Sequence, residues 1–122
     1  MKHIINFFFE LGMLKKTPRS GFQFLGSGSE SVAEHVFRVA TIGFTMARLD
    51  KQADAFTVVR MCLFHDIPES RTGDMNYVNK HYVEVKEDQV VEDLAKTLPF
   101  GDEIQGLLQE FARGESREAQ LA

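Results

Sequence analysis

The chain has 122 residues, a net charge of −4, 43% hydrophobic residues, eleven phenylalanines and one cysteine. That length fits a single domain burying roughly two thirds of its unfolded surface, and no segment approaches the ~20 apolar residues of a membrane-spanning helix, so a soluble protein is expected. The acidic balance excludes a polymeric nucleic-acid partner gripped by a basic surface, since counterion release needs clustered cations. The lone Cys62 cannot close an internal disulfide and reads as a small buried hydrophobe in a reducing, cytoplasmic setting.

The opening Met1–Glu10 is apolar, but Asn6 and Glu10 interrupt it and no small-residue cleavage site follows, so it reads as an amphipathic helix rather than a signal peptide. This helix is expected over Lys2–Met13, stopping near Leu11 and Gly12. Pro18, Gly21, Gly26 and Gly28 then oppose further helix. Gly26-Ser27-Gly28-Ser29 lacks the Gly-Lys-Ser/Thr of a P-loop and reads as a mobile connector, with a lid between Arg19 and His35 as a hypothesis. Ser31 with Glu34 three residues later forms a capping box, and the helix it starts turns Val36, Val39, Ala40, Gly43, Phe44 and Ala47 inward. His35 falls in its first turn.

A third helix begins near Asp54 and carries Val58, Val59, Met61, Cys62 and Phe64 into His65 and Asp66, where Pro68 should bend or end the ladder. Asp74, after Thr72-Gly73, belongs on a turn. An amphipathic helix is expected from Tyr82 to Leu98, with Val83, Val90, Val91, Leu94 and Leu98 as its stripe. Another, capped by Asp102, carries Ile104, Leu107, Leu108 and Phe111. No alternating strand pattern appears, so the fold class is all-α, a compact bundle of about five to six helices.

Residues four apart share a helix face and neighbours point about 100° apart. His65 and Glu69 should therefore stand one turn apart, with Asp66 at the edge of the same face and His35 supplied by a neighbouring helix. Neutral imidazoles plus a carboxylate suit a divalent transition cation such as manganese, cobalt, iron or zinc. His3 and His81 lack a second ligand at useful spacing and read as surface residues. Lys15 and Lys16 read as solvated charges at a helix end, whereas Arg19 is suited to bidentate phosphate contact.

Pro18-Arg19-Ser20-Gly21-Phe22, Glu30-Ser31-Val32-Ala33-Glu34-His35, His65-Asp66-Ile67-Pro68-Glu69 and Thr72-Gly73-Asp74 together resemble the HD-domain metal-dependent phosphohydrolases. Within them the chain resembles the small 5′-deoxynucleotidases of the YfbR and HDDC2 type, over nearly its whole length. The resemblance implies an HD-type helical bundle, with His35, His65 and Asp66 as metal ligands, Glu69 and Asp74 as catalytic carboxylates, and Arg19 as a substrate phosphate contact. It also implies a nucleotide substrate and a homodimer, for which the Val83–Leu98 stripe offers a surface. Relatives carry a further ligand, an aspartate, just after a stretch similar to Ser116–Ala122. Residues 1–122 are therefore expected to form one HD domain that stops short of its C-terminal helix or helices. Phe22 stands where relatives often have tryptophan.

The expected reaction is hydrolysis of a nucleoside 5′-monophosphate, with the 5′-deoxyribonucleotide inherited from the resemblance alone. Two alternatives stay open: a catalytically silent nucleotide-binding module that keeps the histidines, and an HD hydrolase of another nucleotide.

Overall fold

A computed structural model describes residues 1–122 and contains no strand beyond one isolated bridge between Pro18 and Ser31. Five helices of ten residues or more build the frame: α1 (Lys2–Met13), α2 (Val32–Leu49), α3 (Ala55–Phe64), α6 (Glu87–Thr97) and α7 (Gly101–Arg113). Three short ones connect or end it: α4 (Glu69–Thr72), α5 (Tyr77–Lys80) and α8 (Arg117–Leu121). A 3-10 turn spans Ser20–Phe24. The fold is all-helical, as expected. The short segments raise the helix number above five or six, because single turns of four or five residues leave no periodic stripe in the sequence.

Each long helix forms for a local reason. Ser31 Oγ accepts the Glu34 N–H at 3.1 Å while the Glu34 carboxylate accepts the Ser31 N–H at 2.6 Å, which satisfies two orphan donors of α2. Asp54 caps α3 by accepting the Thr57 N–H. α1 runs through Leu11 and Gly12 to Met13. α6 begins at Glu87 rather than Tyr82, whose ring is exposed along with Val83. Asp102 lies in the first turn of α7 and Phe100 holds the cap position. The expected α6 stripe is consumed by the core: Val91, Leu94 and Leu98 are buried.

α2 and α3 pack against one another along a seam of Ala47, Val58 and Cys62. Gly43 permits this approach, since a Cβ there would fall 2.6 Å from Cys62 Sγ. A second cluster joins Phe7 of α1 to Ile67, Leu94, Leu98 and Ile104, and a third joins Met61, Leu107 and Ala119. Burying such side chains contributes about 1.5–3 kcal/mol each before the entropy of ordering is subtracted. The outer face of α2 and α3 stays bare, with Phe37, Phe44, Phe56 and Leu63 exposed.

The loop between α1 and α2 is tied at its base, where Arg19 N–H donates to Glu30 O and Val32 N–H donates to Thr17 O, both at 2.8 Å. Phe22 turns back against Gly28.

Candidate metal centre

α3 ends at Phe64, so His65 occupies its C-cap position and Asp66 lies beyond the helix, two residues before Pro68 caps α4. The expectation that His65, Asp66 and Glu69 share one helix face gives way to a broken helix. Pro68 lacks an amide donor, and the ladder tightens to three-residue bonds, with Ile67 N–H donating to Phe64 O and Glu69 N–H to Asp66 O.

This break lets His65 and Asp66 meet His35 from the first turn of α2. One donor atom from each of His35, His65 and Asp66 lies within 4.8 Å of the others. Asp66 Oδ2 stands 3.1 Å from His65 Nε2 and 3.6 Å from His35 Nε2. The imidazole rings sit 5.8 Å apart, with the Phe111 ring 5.3 Å from His65 on its other side. His3 and His81 are outside this group.

The tautomer of His65 follows from its other nitrogen. Nδ1 lies 2.8 Å from the carbonyl oxygen of Cys62, in the last turn of α3. A carbonyl only accepts, so Nδ1 carries the proton and the neutral ring presents a lone pair at Nε2. That lone pair faces Asp66 Oδ2, a buried oxygen with no hydrogen-bond partner. Two acceptors opposed at 3.1 Å in a buried site repel unless a cation or proton lies between them. Two imidazole nitrogens and an orphaned carboxylate oxygen therefore fit a divalent transition cation.

The titration of the histidines reflects the same geometry. Burial, with help from the Arg19 guanidinium, pushes His35 below its ordinary value. Burial also disfavours a charged His65, but the Asp66 carboxylate beside Nε2, which would accept from that nitrogen once it is protonated and attracts the charged ring, outweighs this and holds His65 above its ordinary value.

Glu69 opens α4 and has one buried carboxylate oxygen without a partner. Burial first, then the charges of Asp66 and Asp74, push its pKa up to about 8. Asp74 follows Gly73, whose φ of 72° ends α4 and redirects the chain. Its Oδ2 accepts the Ser20 N–H at 2.8 Å and lies 3.8 Å from the Arg19 guanidinium. The six residues singled out in the sequence are thus gathered at one place, although Arg19 and Asp74 are far apart along the chain. Lys15 and Lys16 remain solvent-exposed.

Three contributors carried no separate sequence signal: the Cys62 carbonyl, the Ser20 amide and the Phe111 ring. A fourth, the Arg71–Glu10 ion pair at 2.8 Å, fastens α4 to α1. Only a helical stripe hinted at Phe111, and backbone groups leave no trace in residue identity.

A helical bundle whose broken helix delivers a His-Asp pair to a histidine of the neighbouring helix defines a metal-binding class of helical proteins. The HD-domain family profile matches residues 11–122, and the chain belongs to that family. The chain is similar to the 5′-deoxynucleotidase HDDC2 of Dictyostelium discoideum, at 31% identity over 99% of this chain and 70% of the relative. It is also similar to the 5′-deoxynucleotidase HDDC2 of Danio rerio, at 27% identity over 99% of this chain and 62% of the relative. Among solved structures, a conserved hypothetical protein from Pyrococcus furiosus superposes with a TM-score of 0.80 and 30% identity, covering 96% of this chain and 72% of that one. A predicted metal-dependent phosphohydrolase from Magnetospirillum magnetotacticum gives 0.78 and 29%, covering 98% and 64%. No helix is long and apolar enough to cross a membrane.

Proposed function

We propose that this chain is a metal-dependent phosphohydrolase that removes phosphate from nucleoside 5′-monophosphates, with 5′-deoxyribonucleotides as the preferred class. The observation that carries this reading is the orphaned Asp66 Oδ2 facing the lone pair of His65 Nε2 beside His35. The names of the Dictyostelium and zebrafish relatives support the substrate class.

In this reading His35, His65 and Asp66 hold a divalent cation, manganese, cobalt, iron or zinc. Bound there, such a cation supplies Lewis acidity toward a phosphoryl oxygen and lowers the pKa of a neighbouring water. Arg19 binds the phosphate and offsets its charge, with Asp74, itself held by the Ser20 amide, beside its guanidinium. Glu69 and Asp74 are the proton-handling carboxylates, and in the metal-free site burial and the charges of Asp66 and Asp74 raise the Glu69 carboxyl. Residues 1–122 form one HD domain in the same reading. A homodimer and a cytoplasmic location belong to it too, the first supported by the bare outer face of α2 and α3 and the second by a single unpaired, buried cysteine.

The test is phosphate release from a panel of 5′-deoxyribonucleoside and ribonucleoside monophosphates with Mn²⁺, Co²⁺ or EDTA, alongside metal content by elemental analysis. Metal-dependent release, with kcat/KM lowered about 10²–10³-fold in Arg19→Ala at unchanged metal content, is expected. Nucleotide binding without metal dependence or release would instead establish a silent binding module. Release confined to nucleoside triphosphates would move the activity to another nucleotide.

A further inference from the structure

Two short segments that bear Arg19 and Asp74 are fastened to each other beyond those residues. Asn76 Nδ2 donates to Gln23 Oε1 at 2.6 Å, while Asn76 Oδ1 caps α5 by accepting the Asn79 N–H at 2.8 Å, so both ends of this amide are committed. Next to it the rings of Phe24 and Tyr77 stack, with centroids 5.4 Å apart and planes inclined by 27°. Packing does not explain this pair. α5 buries none of its residues, and Phe24 and Tyr77 remain 52% and 70% exposed.

The pair also lies within a short chain reach of Arg19 and Asp74. Tyr77 follows Asp74 by three residues, a reach of at most about 10 Å, and Phe24 follows Arg19 by five residues through a 3-10 turn rising about 2 Å per residue. A flat ring joined to a phosphate through one sugar spans a comparable length. We infer that the Tyr77–Phe24 stack is the nucleobase platform of this site, its exposed ring face receiving the base of the mononucleotide whose phosphate lies at Arg19. This rests on the phosphate assignment of Arg19 proposed above. Stacking is tolerant of base identity because every base has a π-face, and no charged group is needed at the platform itself. Discrimination among bases is accordingly weak, and the platform's work is to hold the nucleoside end while the metal centre holds the phosphate.

The chain has two tyrosines and no tryptophan, so Tyr82→Phe leaves Tyr77 as the sole tyrosine fluorophore. The Zn²⁺-loaded variant is mixed by stopped flow with deoxyadenosine 5′-monophosphate or with 2-deoxyribose 5-phosphate, fluorescence is read before turnover, and thermal protection by each ligand is recorded in parallel. Saturable quenching by the nucleotide but not by the sugar phosphate is expected, with thermal protection by both. Tyr77→Phe, reporting from Tyr82, should show no quenching. Tyr77→Ala should weaken nucleotide binding about tenfold and leave sugar-phosphate protection unchanged. Thermal protection by both ligands without Tyr77 quenching overturns the platform and leaves the phosphate site standing. Absence of protection by either ligand overturns the phosphate assignment and the platform with it.

Discussion

The candidate metal centre and the rim around Arg19 sit side by side but are held by different forces. His35, His65 and Asp66 are positioned by two helices packed across a seam tight enough to require Gly43, so core burial fixes their spacing. Arg19, Asp74 and Tyr77 sit on short turns held by a handful of polar contacts at part-exposed positions. Dense packing resists small displacements, whereas isolated hydrogen bonds contribute only about 0.5–1.5 kcal/mol each. The ligand geometry should therefore fail together with the fold, and the rim should fail alone.

The strongest way to break this contrast is His65→Ala. It should lower metal affinity by at least about 100-fold, measured by competition with a chromophoric chelator, while the far-ultraviolet circular dichroism stays helical. Gly43→Val tests the seam from a distance. Its side chain collides with Cys62, so urea unfolding should show a loss of about 2 kcal/mol, with metal affinity falling in parallel. If affinity survives that loss intact, the ligands do not depend on the seam.

A smaller effect concerns pH in the metal-free protein. Glu69 has a folded pKa of about 8 against an ordinary 4.5, so between these values the native state holds a proton that the unfolded chain has released. Its contribution is fully present below 4.5 and is lost as pH rises toward and through 8. His65, also raised, adds to the decline above its ordinary 6.5, and His35, lowered, acts in the opposite sense below it. Denaturant unfolding in EDTA should show stability falling from pH 5 toward pH 8, and Glu69→Gln should flatten most of that slope. At the smallest end, Gln23→Ala should cost no more than about 1 kcal/mol and leave metal affinity unchanged, while raising KM several-fold.

Legibility from sequence divided along the same line. The Ser31–Glu34 capping box and the bounds of α1 could be read directly, because caps and apolar periods are local signals. The six candidate residues are singled out by motifs. Their convergence was not derivable from spacing, since Arg19 meets Asp74 only through tertiary closure of the 17–32 loop onto the turn after α4. The start of α6 differs from the expected Tyr82 because Tyr82 and Val83 look like helix stripe yet stay in solvent, while the period that matters begins with Val90 and Val91. For Pro68 the sequence predicts a bend or an end. It is both, and the break it makes, rather than a continuous helix face, brings Asp66 to the histidines.

The hydrogen bond from His65 to the carbonyl of Cys62 has a consequence for how this site withstands mutation. The acceptor is a main-chain oxygen three residues upstream, and every amino acid at position 62 carries the same one. The orientation of the His65 imidazole is thus encoded by where α3 stops rather than by any side chain. Substitutions at position 62 will be filtered by packing against Gly43 and Val58 alone. The ring's alignment is inherited for as long as the helix ends where it does.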